Sequence, residues 1–119
     1  MSTPIQNSTD LLSNIKSNKL YNDLINQLNK DLSLTGNNLH FSQDYVPLTL
    51  KKKLQAKIKE LIINDFDLFT SLLYRIDVSE NDIQKIESTN IDLYAQNITF
   101  LILKRTWKKV LFKDQYREK

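Results

Sequence analysis

Residues 91–112 read IDLYAQNITFLILKRTWKKVLF, and this stretch decides the fold. From Ile98 to Leu103 it is apolar around most of a helical circumference, which suits a helix enclosed by others at the centre of a bundle. Asn90 stands immediately before it as a helix cap. The sequence therefore predicts a long central helix over about 91–117, around which the rest of the chain must be arranged.

Working outward, Leu50, Leu54, Ile58, Leu61 and Ile62 recur at three- and four-residue spacing and predict an amphipathic helix over about 46–63. Asp44 or Thr49 is its expected cap, with Pro47 in the first turn. Phe66, Phe69, Leu72, Leu73 and Ile76 follow with the same period over about 65–77, either as a bent continuation or as a new helix capped by Asn64 or Asp65. Ser79 and Asp82 outline a capping box before Ile83 and Ile86, predicting a short helix over about 80–88. Upstream, Leu11, Ile15, Tyr21, Ile25, Leu28 and Leu32 form one stripe, widened by Leu20 and Leu24, which predicts a helix over about 10–34. Ser8, Thr9 and Asp10 offer capping oxygens, and Ser17-Asn18-Lys19 marks a point where this helix can split. Residues 37–46 read as a connector anchored by Leu39, Phe41, Tyr45 and Val46. No segment alternates with period two. The expectation is a compact all-α bundle of about five helices in a single domain over 10–119, preceded by a disordered tail over 1–9.

Scarcity narrows the function. The chain has 119 residues, one glycine, one histidine and no cysteine. Average glycine usage of about 7% would supply roughly eight. Gly36, followed by Asn37 and Asn38, is expected as a helix stop, which leaves no glycine for a phosphate-cradling loop. The absence of cysteine excludes a disulfide framework and a thiolate zinc site. His40 has no cysteine to pair with, and no nucleophile-elbow context surrounds any serine. An EF-hand counted from Asp77 would require glycine at 82 and a carboxylate at 88, where the chain has Asp82 and Ser88. The expectation is no enzyme, no cofactor and no metal site. The opening MSTPIQNSTD lacks a basic stretch followed by an apolar one, and no apolar run is long enough to span a bilayer, so a cytoplasmic protein without a transmembrane segment is expected.

Charge is sorted along the chain. Residues 51–63 carry five basic side chains and one acidic, residues 64–92 two and seven, and residues 93–119 seven and two. On the last helix Lys104, Arg105, Lys108 and Lys109 share one arc, opposite Phe100, Leu103, Trp107, Val110 and Leu111. Lys52, Lys53, Lys57 and Lys59 form a second basic face. Both are candidate surfaces for a partner or for phosphate. Internal pairing is the simpler account if the acidic block lies between them. Tyr74, Arg75 and Asp77 form a polar cluster in an otherwise apolar stretch, for which structural pairing is expected.

The run Leu61 to Phe66, followed by Leu72-Leu73-Tyr74-Arg75-Ile76-Asp77-Val78-Ser79-Glu80, resembles a family of small bacterial helical proteins that share an LLYRIDVSE-like block and a basic-ended last helix. That resemblance implies an all-α fold and a bacterial cytoplasmic origin, and no activity or functional residue. The leading expectation is a non-enzymatic interaction module, an adaptor or accessory subunit, that binds a protein partner through its charge-segregated surface. The alternative is nucleic-acid or ribosome association through the basic face of the last helix, and a homodimer is compatible with either. Arginine is scarce, three against fourteen lysines, which weighs against specific phosphate readout.

Overall fold

A computed structural model describes residues 5–33 and 40–117. Among the described residues there are six helices and no strand: α1 (Ser8–Ser13), α2 (Asn18–Ser33), α3 (Pro47–Asn64), α4 (Phe66–Ile76), α5 (Glu80–Gln84) and α6 (Ile91–Arg117). The all-α expectation holds, and the long C-terminal helix is present. No helix among the described residues is long and apolar enough to cross a membrane.

The segment expected as one helix over 10–34 is two. Asn14 ends α1, its Nδ2 donating to the Asp10 carbonyl at 2.7 Å, and Ser17 opens α2 by accepting from the Leu20 N–H at 3.2 Å. Short polar side chains thus offer the backbone local partners that interrupt the helical ladder. The start also differs from expectation. Asn7, rather than Ser8, Thr9 or Asp10, is the cap of α1, accepting from the Asp10 N–H at 2.9 Å, so the helix begins inside the expected tail. Gly36 and Leu39 lie outside the described residues.

At the other helix starts the outcome is mixed. Neither Asp44 nor Thr49 caps α3: Val46 occupies the position with no side-chain bond, and Pro47 follows it. α4 starts afresh rather than continuing α3, because Asp65 accepts from the Leu68 N–H at 3.1 Å. Ser79 caps α5, which stops at Gln84, earlier than expected. Beyond it Ser88 exchanges hydrogen bonds with the Asn90 backbone, and Asn90 caps α6 through the N–H groups of Asp92 and Leu93 at 2.8 and 3.2 Å.

The core is continuous. Leu11, Leu24, Ile25, Leu28, Leu32, Leu50, Leu54, Ile58, Phe69, Leu72, Ile76, Ile98, Ile102 and Leu103 are all buried in it. α6 packs against each of the other five helices, which is why its middle is apolar all round. Two polar residues on its buried side, Thr99 and Thr106, satisfy their hydroxyls on the carbonyls of Ala95 and Ile102, at 2.7 and 2.8 Å. The connector is tied to α2: Asn29 bonds both backbone groups of Phe41, at 2.7 and 3.0 Å, and the Tyr21 hydroxyl donates to the Tyr45 carbonyl at 2.6 Å. Burial raises the Tyr21 phenol above its ordinary pKa. Phe41 is buried as expected, whereas Val46 is exposed. α3 and α6 run antiparallel, since Lys59 pairs with Asp92 at 2.7 Å while Lys51 shares a groove with Gln96, Asn97 and Phe100.

Candidate functional site

The basic arc of α6 is only partly free. Lys109 turns towards α2 and meets the Asp31 carboxylate at 3.3 Å; the two side chains are 19% and 5% exposed. The Gln27 amide donates to the other Asp31 oxygen at 3.2 Å, and Lys113 donates to the Gln27 carbonyl oxygen at 2.6 Å. Four side chains therefore stitch α2 to the last three turns of α6. Arg105 is also engaged, its guanidinium gripping Asp77 twice, Nε on the backbone carbonyl at 3.2 Å and Nη2 on the carboxylate at 3.1 Å. Lys104 lies over the Phe100 ring at 5.9 Å, and Lys108 is exposed. Of the expected arc, Lys104 and Lys108 form no ion pair among the described residues. Its apolar counterpart is uneven as well: Leu103 and Val110 are buried, Phe100 and Trp107 half-buried, and Leu111 exposed.

The α3 lysines reach other neighbours. Lys59 pairs with Asp92, Lys57 with Glu60 at 3.4 Å, and Lys53 sits over the Tyr45 ring at 5.5 Å, while Lys52 is exposed. The acidic block does lie where both basic faces can use it, through Asp92 for α3 and Asp77 for α6. Internal pairing therefore uses the acidic block once for each basic face.

Tyr74, Arg75 and Asp77 are not assembled into a cluster. Tyr74 is 88% exposed and Arg75 is exposed on the same helix. Asp77 instead ends α4 in the left-handed conformation, at φ 71° and ψ 46°. His40 is exposed, and no group of three or more potential metal ligands exists among the described residues.

The sequence reading missed the aromatic end of α6. Past Val110 the helix keeps polar bonds to α2 but buries none of its described apolar side chains, and Phe112 and Tyr116 are each 61% exposed. Their rings pack on each other at 4.7 Å, as residues four apart on a helix do. Phe112 forms the apolar part of a groove of about 470 Å³ whose other walls are Arg105, Lys108, Lys109 and Lys113. A second groove of about 230 Å³ shares Arg105 and Lys108 and runs to Val78, Ser79 and Asp82. The available signal was the pair of aromatics following the last buried apolar residue. Phe112, walled by cations and packed on the exposed Tyr116 ring, is built like the centre of a protein interface with its rim.

No family model matches the chain, and no curated protein or solved structure is significantly similar to it.

Proposed function

We propose that this chain is a non-enzymatic interaction module, acting in the cytoplasm, that binds a protein partner through the C-terminal half of α6. The observation that carries the reading is Phe112, a large apolar side chain left 61% exposed in a groove whose remaining walls are all cationic. Two exposed, contacting rings at the end of a helix are an uncommon surface unless something covers them. The basic rim selects an acidic partner and speeds its approach, while the rings supply most of the affinity.

Nucleic-acid binding is the second reading, favoured by the same rings as stacking platforms among lysines. It is weakened by the pairing of Arg105 with Asp77 and of Lys109 with Asp31, which leaves Lys108 and the Gln27-bonded Lys113 as the groove's cations without an ion pair among the described residues. Two phosphate contacts give only a shallow dependence on salt and little affinity.

Site-specific photocrosslinking separates the two. A photoreactive side chain is placed at Phe112 or, as control, at the more exposed Tyr74, in cells that make the protein. Protein adducts from position 112 that resist nuclease, and are absent from position 74, are the expected result. Adducts that vanish with nuclease transfer the reading to nucleic acid, and equal labelling from both positions removes the site.

A further inference from the structure

At the far end of the molecule, the corner between α3 and α4 exposes Ile63 (59%) and Phe66 (56%), again large apolar side chains with little cover. Periodicity had placed Phe66 on the buried stripe of α4. Asp65 and Asp67 flank it, both exposed and neither in an ion pair among the described residues. This corner mirrors the α6 end in chemistry. One surface presents apolar side chains with two carboxylates, the other presents apolar side chains with Lys108 and Lys113.

The two surfaces cannot meet within one chain. Lys59 of α3 is bonded to Asp92 at the start of α6, and Phe112 lies twenty residues further along that helix, about 30 Å away at 1.5 Å per residue. Because α3 runs antiparallel to α6, the remaining residues of α3 carry the corner still further from Phe112. Arg75, the cation of α4, sits more than two turns from Phe66 and does not neutralise the corner.

We propose that a second copy of this chain is the occupant of the α6 groove, seating its Ile63–Phe66 corner on Phe112 and Tyr116 with Asp65 and Asp67 towards Lys108 and Lys113. The proposal rests on the α6 end being a contact surface, as argued above, and adds which surface covers it. The contact joins two different patches, so each added molecule leaves one of each kind open, and assembly proceeds head to tail.

Sedimentation velocity on the full chain over a wide concentration range tests this. The expected result is a sedimentation coefficient that rises with concentration past the dimer value and falls when salt is raised to about 0.5 M, where the Debye length is only a few ångströms. Phe112→Ala and Phe66→Ala each weaken association about tenfold or more, while helical circular dichroism stays unchanged because both rings are largely outside the core. An equimolar mixture of the two variants forms a dimer that does not grow, since the Phe66→Ala chain still offers an intact α6 end and the Phe112→Ala chain an intact corner. A wild-type chain that remains monomeric throughout overturns the proposal, as does a mixture no more associated than either variant alone. Monomeric behaviour combined with position-112 crosslinks to a different protein removes self-docking and leaves the interaction reading standing.

Discussion

Lys109 shows how one residue changes meaning between sequence and structure. On the helical wheel it belongs to an exposed basic arc, yet its ammonium is drawn 78 residues back along the chain to Asp31. Asp31 is buried, so its charge is tolerated only because Lys109 and Gln27 both bond it. Removing either partner leaves the other charge poorly solvated. Lys109→Met is expected to cost about 2 kcal/mol or more in urea unfolding, whereas Lys109→Met with Asp31→Leu is expected to recover much of that loss. A double variant no more stable than the single one would show that the pair is not coupled. Nothing near Lys109 in sequence announces this partner, and the arc seen on the wheel was correct as geometry alone.

At the scale of the helix, Asp77 explains how a chain with one glycine stops α4. The Val78 N–H reaches the Leu73 carbonyl at 3.1 Å and the Asp77 N–H reaches that of Tyr74 at 3.2 Å, the paired bonds of a Schellman stop. Val78 and Leu73 are both buried, completing the apolar contact that accompanies this motif. Glycine is the usual occupant of the left-handed position, and a Cβ there costs roughly 1 kcal/mol. Its carboxylate offsets part of the cost by accepting from Arg105 Nη2, while Arg105 Nε fastens the Asp77 backbone carbonyl to α6. Asp77→Ala keeps the Cβ and loses the carboxylate, so a loss of about 1–2 kcal/mol is expected. Asp77→Gly loses the same carboxylate but relaxes the backbone, and should fall within about 1 kcal/mol of wild type in the same unfolding assay. Equal losses in the two variants would remove backbone strain from the account. The caps at Asp65, Ser79 and Asn90 were legible because they act within three residues. The break at Asn14 to Ser17 was visible only as interrupted periodicity, since it depends on which local bonds those side chains choose.

Across the whole molecule, α6 is the hub, and its two halves obey different rules. Up to Val110 one face of it is buried in the core, and Ile102→Ala should cost about 2–5 kcal/mol as a cavity at the centre. Leu111→Ala, five residues before Tyr116 and 38% exposed, should cost only about 1 kcal/mol. Chemical denaturation of the two variants measures the contrast, and comparable losses would mean that the end of α6 is as enclosed as its middle. With a domain's total stability of about 5–15 kcal/mol, the first variant is expected to populate unfolded chain measurably. Side-chain period and capping, which operate over a few residues, are enough to make the protein all-helical, to place most helices and to mark the last one as central, and the sorting of charge is read directly along the chain. Packing between distant segments sets which cations enter internal pairs, turns Phe66, Val46 and Leu111 outward, and leaves Phe112 and Tyr116 largely exposed at the opposite end from Ile63 and Phe66. A helical period says which residues share a face, but whether a face is covered depends on neighbours brought together from distant parts of the chain.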